Sequence, residues 1–169
     1  MEPSHGFNKK SHSVLDVLGP TVKFLVLPSE CAGDYCVIRG TIPPGVSVPL
    51  HSHPDRESFF LLSGSVQALE QRKNAFKWIN MKAGDFRHVA SEVRHAWKNE
   101  PDEPAVAIIV TTPRLGRFFQ EAGRPVPPDA SPQAPSPRMF NVSLRSQLAT
   151  TIGLASPEEN AAVGINLSA

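Results

Sequence analysis

The sequence predicts an all-β fold of jelly-roll type, followed by short C-terminal helices. Three observations predict it. Between Thr21 and Thr112 the apolar residues fall into runs of five to nine, too short for the helices of βαβ units. Gly, Pro, Asn and Asp punctuate these runs at the close spacing of a sandwich or barrel. After Thr112 the texture changes to a short amphipathic stretch, a proline-rich segment and a second polar-apolar stretch.

Taken in order, the strand candidates are Thr21–Leu27, Asp34–Ile42, Glu57–Leu62, Ser65–Gln71, Phe76–Met81, Phe86–Ala90, His95–Asn99 and Ala105–Thr112. Eight such strands suit a jelly roll. The turns between them have a chemical basis. Pro43-Pro44-Gly45 and Lys82-Ala83-Gly84-Asp85 carry glycines able to adopt positive φ, and Ser63-Gly64 separates two strands close enough to pair as a hairpin.

Past the last strand, Thr112 is an N-cap residue, Pro113 suits the first helical position and Gly123 stands where a helix stops. A helix over 113–122 therefore presents Leu115, Phe118 and Phe119 on its apolar face. Residues 125–137 contain six prolines among Ala and Ser, a composition for an extended linker separable from the barrel. Beyond it, Leu144, Leu148 and Ile152 recur every four residues up to Gly153, and Ser156-Pro157-Glu158-Glu159 has capping-box spacing, so two short helices are expected to end the chain. The resulting organisation is an N-terminal tail (1–20), a barrel (21–112), a helix packed on it (113–124), a linker (125–137) and a helical extension (138–169).

Composition narrows the function. Seventeen Lys plus Arg against sixteen Asp plus Glu leave a formal charge of +1, no surplus with which to neutralise nucleic-acid phosphates. The longest unbroken apolar stretch, Ala105–Val110, is far short of the roughly 20 residues of a membrane span. The first twenty residues lack the apolar segment of a secretory signal and the chain has two cysteines, so a reducing, cytoplasmic setting is the expectation.

The chemistry concentrates between Gly45 and Gly64. Side chains alternate across a strand, so His51 and His53 share a face and can offer two imidazole nitrogens to one ion. Pro54-Asp55 supplies turn chemistry that lets the next strand return with Glu57 facing the same interior. Three protein ligands leave most transition metals short of a full set, and His95 on another strand is available as the fourth.

These residues resemble the cupin superfamily. Gly45, His51, His53, Glu57 and Gly64 match every position of the family's first motif, a glycine, five residues, His-x-His, three or four residues, Glu, six residues and a glycine. Gly84, His95 and Asn99 match the second, with Ala90 where proline is usual and Glu92 where a second glycine is usual. The resemblance implies a double-stranded β-helix barrel with one divalent transition metal (Fe, Mn, Ni, Co, Cu or Zn) held by His51, His53, Glu57 and His95. It implies no single reaction, because cupins include dioxygenases, decarboxylases, sugar isomerases, storage proteins and ligand-binding domains.

The expected activity is that of a mononuclear dioxygenase acting on a small phenolic or dicarbonyl substrate, with Glu57 as ligand and catalytic base. A non-catalytic, ligand-sensing cupin and a metal-independent isomerase are the alternatives. Phe59 and Leu61 share the face of Glu57, and Trp97 that of His95, so all three are expected inside as core or as the substrate pocket. Phe118 is weighed both as packing on the barrel wall and as a residue across its mouth, where the Phe118-Phe119 segment is similar to one in bacterial quercetin dioxygenase-like cupins. A homodimer is expected through Phe60 and Leu62, which should face outward. His88 reads as a rim residue, His5 and His12 as tail residues, Cys31 and Cys36 as reduced structural thiols, and Arg39, Arg87 and Arg94 as facing solvent.

Overall fold

The computed structural model describes residues 13–73, 75–127 and 152–166. Its strands, in chain order, are β1 (Val14–Asp16), β2 (Thr21–Val26), β3 (Cys36–Ile42), β4 (Ser47–Ser52), β5 (Glu57–Ser63), β6 (Ser65–Arg72), β7 (Ala75–Lys82), β8 (Phe86–Val89), β9 (His95–Lys98), β10 (Ala105–Thr111), β11 (Arg124–Pro125) and β12 (Gly153–Leu154). Helix α1 (Pro113–Ala122) follows β10, and α2 (Pro157–Ala162) follows β12. The strands form a seven-stranded sheet in the order β11-β1-β2-β3-β10-β5-β8 and a five-stranded sheet in the order β12-β4-β9-β6-β7, with every pairing antiparallel. The core lies between them, with Phe24, Ile38, Phe59, Leu61, Ala68 and Trp97 among its buried residues.

All eight expected strands are present, their ends displaced by one or two residues. Four more complete the sheets. Strand β4 is not among the apolar runs because Pro49 and three polar residues, Ser47, His51 and Ser52, interrupt its pattern, although the shared face of His51 and His53 requires extended chain there. Strands β1, β11 and β12 are two or three residues long, below the length at which alternation can be recognised.

Two turns show why glycine is needed. Gly64 adopts φ +73°, and a Cβ there would lie 2.5 Å from the Pro104 carbonyl oxygen, so the β5–β6 hairpin excludes any side chain at that position. Gly84 adopts φ +93° in the turn between β7 and β8. Helix α1 starts as expected: the Thr112 hydroxyl accepts the Leu115 N–H at 3.4 Å, and Pro113 occupies the first turn.

Three boundaries are corrected. The barrel begins before Thr21, because Val14–Asp16 pairs with Thr21–Lys23. The 125–137 segment is not a free connector from its start, since Arg124 and Pro125 pair with β1 and the Val126 N–H donates to the Val14 carbonyl at 2.9 Å. Most of that segment, residues 128–137, lies outside the described residues.

The C-terminal segment, where it is described, is in contact with the barrel. Leu144 and Leu148, which carry the expected first C-terminal helix, lie outside the described residues, and Ile152-Gly153 is a bend running into β12 rather than a helix end. The second helix is present with both bonds of its capping box: Ser156 Oγ accepts the Glu159 N–H, and Glu159 Oε2 accepts the Ser156 N–H. The segment packs on the outer face of the five-stranded sheet, where Ile165 joins buried Leu50, Leu69 and Ala96. Asn160, fully buried, accepts the Leu50 N–H at 2.8 Å and donates to the Ala155 and Ser156 carbonyls. The indole N–H of Trp78 donates to the Val163 carbonyl at 2.9 Å. This cover explains why β4, β6 and β9 carry apolar side chains on both faces.

Phe60 and Leu62 face outward, as alternation predicts, together with Phe86. Both cysteines are free thiols, Cys36 buried and Cys31 partly so. No helix among the described residues is long and apolar enough to cross a membrane. His5 and His12 lie outside the described residues.

Candidate metal centre

The four residues singled out by spacing converge at one end of the interior. His51 lies on β4 directly across from His95 on β9, both in the five-stranded sheet. His53 follows β4 in the connecting loop, and Glu57 opens β5 in the facing sheet. All four are buried. The ladder between β4 and β9 is irregular between Val48 and His51, where Pro49 has no N–H to contribute.

Backbone carbonyls orient each ring. His51 Nδ1 donates to Pro49 O at 2.7 Å, His95 Nδ1 to Val93 O at 2.8 Å and His53 Nδ1 to Asp55 O at 3.2 Å. A carbonyl can only accept, so each Nδ1 carries the proton and each Nε2 is left to face its neighbours. One ring nitrogen from each of the three histidines lies within 4.8 Å of the other two. Glu57 Oε2 sits beside this cluster, 3.2 Å from His53 Nε2 and 3.4 Å from His95 Nε2. The His53 contact is a hydrogen bond when that ring carries a second proton on Nε2, the position a bound ion would take, whereas His95 Nε2 is buried with no hydrogen-bond partner.

The electrostatics follow from this crowding. Burial, helped by the neighbouring His95, pushes the His51 imidazole down to about 3. Burial also opposes charge on His53, but the Glu57 hydrogen bond and the Glu57 and Asp55 carboxylates outweigh it and net the ring upward. For Glu57, burial favours the neutral acid, yet the His53 hydrogen bond and the charge interactions with His95 and His53 prevail and hold the carboxyl at about 2. The centre thus keeps His51 neutral and Glu57 ionised, with His53 the ring that the carboxylates favour in its charged form. Imidazole lone pairs converging on one point, an unpartnered His95 Nε2 and an adjacent carboxylate form a donor set that fits a divalent transition ion.

Residues 38–111 match the model of the cupin domain family. They are a cupin domain. No curated protein matches the chain. Among solved structures the chain is similar to oxalate decarboxylase from Bacillus subtilis, at 22% identity and a TM-score of 0.52 over 60% of this chain and 27% of that one. A point variant of the Bacillus subtilis enzyme gives 19% identity and a TM-score of 0.54, over 69% of this chain and 30% of that one. Oxalate decarboxylase from Lactobacillus farciminis in complex with formate gives 18% and 0.52, over 61% and 30%. At these identities the likeness shows the shared fold, and the chain spans less than a third of those proteins' length.

The cupin motifs are legible in the backbone. Gly45 adopts φ +72° and Asn99, buried, donates through its side-chain amide to Ile42 O at 2.7 Å and Glu103 O at 2.8 Å, while its own carbonyl accepts the Gly45 N–H. At the position where a glycine is usual, Glu92 keeps the left-handed conformation, with φ 63°, and its N–H donates to His53 O at 2.8 Å.

The expected pocket residues face inward. Phe59, Leu61 and Trp97 are buried, with the Phe59 and Trp97 rings 4.5 Å apart, and Phe118 is buried against Leu115 and Ile152. These four and the four site residues line one cavity of about 190 Å³. His88 is exposed and hydrogen-bonded to Ser58, as a rim residue should be.

One arginine departs from expectation. Arg39 is exposed and Arg94 pairs with Glu159 at the surface, but Arg87 lies opposite Phe59 in register and turns inward. Its guanidinium sits 5.9 Å from the Trp97 ring and donates to Leu69 O at 2.9 Å, which compensates in part for its burial. For Asp55 the sequence predicts turn chemistry alone. Its side chain is buried, accepts from the Thr112 hydroxyl and pairs with Arg114, placing a carboxylate behind the His53 ring. The cue was available in its position two residues after a candidate ligand histidine.

Proposed function

We propose that the cupin domain binds one divalent transition metal through His51, His53, Glu57 and His95, and that the protein is a mononuclear oxygenase acting on a small organic substrate with a phenolic or dicarbonyl oxygen pair. The observation that supports this reading is the meeting of three buried imidazoles and an ionised carboxylate at one end of an apolar cavity. An ion held there supplies Lewis acidity toward the substrate's oxygens and a redox partner for dioxygen.

The chain's own groups do the rest. Glu57, kept ionised, is the group available to accept a proton from the substrate's enolisable position. Each imidazole is fixed by a carbonyl behind it, so the ligands keep their orientation as substrate enters. Phe59, Leu61 and Trp97 exclude water and lower the local dielectric, which strengthens charge interactions at the reacting oxygens.

Oxygen uptake by fully metallated protein across a panel of phenols and 1,3-dicarbonyls tests the reading. Turnover on at least one substrate is expected, with a loss of about 100-fold or more in Glu57→Gln at matched metal content. No uptake across the panel would favour a cupin that binds a ligand without transforming it.

A further inference from the structure

The cavity leading to the histidines has an unusual lining. Besides the four site residues, the side chains that bound it are apolar apart from two threonines, Thr21 and Thr41. No lysine, arginine, serine, asparagine or glutamine lines it among the described residues. Its volume, about 190 Å³, compares with the roughly 150 Å³ of an apolar cavity that holds benzene. One substituted ring fills such a space.

The wall is not made by the cupin domain alone. Val17 and Leu18 precede it, Phe118 comes from α1, and Ile152 and Leu154 come from the C-terminal segment, where Leu154 pairs in register with His51. Ile152 packs against Leu115 and Phe118, so the two late segments meet beside the cavity.

We infer that this cavity selects a compact, uncharged apolar molecule of single-ring size, and that Phe118, Ile152 and Leu154, all outside residues 38–111, set the size limit. The inference deepens the oxygenase reading and rests on it for the chelating oxygens, but its size and polarity argument stands on the lining. Away from the four site residues, a second carboxylate on the substrate would find no cationic group and only the Thr21 and Thr41 hydroxyls as side-chain donors beyond the Trp97 indole, and leaving a charge so poorly paired in an apolar wall costs more than burying a ring contributes. A three-ring flavonol exceeds the volume unless the wall opens.

Titration of metal-stripped and metal-loaded protein with toluene, 1-methylnaphthalene and oxalate tests this, read by quenching of Trp97 fluorescence in a Trp78→Phe background and by the shift in Tm. Toluene should saturate in both forms, and in the metal-stripped protein oxalate should fail to displace it. Phe118→Leu and Leu154→Ala should each move the preference between toluene and 1-methylnaphthalene at least tenfold toward the larger molecule. Leu154 is 39% exposed, so its variant keeps the test valid if the Phe118 variant fails to fold. Displacement of toluene by oxalate in metal-stripped protein, or an unchanged preference in Leu154→Ala, would overturn the inference. Failure of the oxygen-uptake panel would remove the oxygenase reading while leaving the toluene result intact, so the two failures are distinguishable.

Discussion

Asp55 and Arg114 form an ion pair that fastens the loop carrying His53 to the first turn of α1. The carboxylate is 3% exposed and the guanidinium 40%, so one charge is desolvated while its partner stays within reach of water. Arg114→Ala would leave the buried carboxylate with the Thr112 hydroxyl as its hydrogen-bond donor and the His53 ring 3.8 Å away. Discounted for solvent screening, the cost should be about 1–3 kcal/mol, seen as a lower urea midpoint at unchanged slope. Metal affinity, measured by chelator competition, should fall about 10- to 100-fold because the group behind His53 has lost its anchor.

Glu92 carries backbone strain that a glycine would relieve. An L-residue in the left-handed region costs about 1–2 kcal/mol, and the greater freedom of glycine in the unfolded chain returns about 0.5–1 kcal/mol of that gain. Glu92→Gly should therefore stabilise the protein by up to about 1 kcal/mol, an increase in the urea midpoint. A decrease would mean that the glutamate side chain contributes more than its exposed position suggests.

Asn160 joins α2 to β4 from behind the histidine strand. Asn160→Ala removes the acceptor of the buried Leu50 N–H and two donated bonds, at a cost of about 2–4 kcal/mol. Hydrogen exchange should report the change locally, with the Leu50 amide losing protection before the amides of the seven-stranded sheet.

Cys36 provides a pH-dependent check. Burial, chiefly, and the Glu57 and Asp55 charges push its thiol up to about 11 from 9.0. The folded state therefore retains a proton that the unfolded chain releases above pH 9, so stability should be insensitive to this group below pH 9 and decline between pH 9 and 11. Comparison of urea midpoints at pH 8 and pH 10.5 should show a larger drop in the wild type than in Cys36→Ala. At pH 8 a thiol reagent should label partly exposed Cys31 and leave Cys36 unreacted until the protein unfolds.

The long strands were legible because each alternates or runs apolar between glycine and proline turns, and the cluster of His51, His53, Glu57 and His95 was legible because ligand spacing on strands is set by a period of two. What escaped detection had a physical reason in each case. β12 is two residues long and is held by its partner β4 rather than by any pattern of its own. Arg87 faces inward because its register with Phe59 requires it, a fact that pairing decides and composition does not. The C-terminal segment reads as polar and separable, yet Ile165 and Asn160 anchor it through residues of low count and full burial. The lining of the cavity by Phe118, Ile152 and Leu154 depends on contacts far apart in the chain, which no local spacing encodes.

The central claim is that His51, His53, Glu57 and His95 hold one metal ion, and elemental analysis of purified protein by plasma mass spectrometry tests it most directly. After equilibration with Fe, Mn, Ni, Co, Cu or Zn and removal of unbound ions at pH 7.5, one divalent ion per 18.3 kDa chain is predicted for the wild type with at least one of these metals, and none for His51→Ala combined with His95→Ala. An unchanged stoichiometry in that double variant, or no retained metal in the wild type with any of the six, would contradict the account.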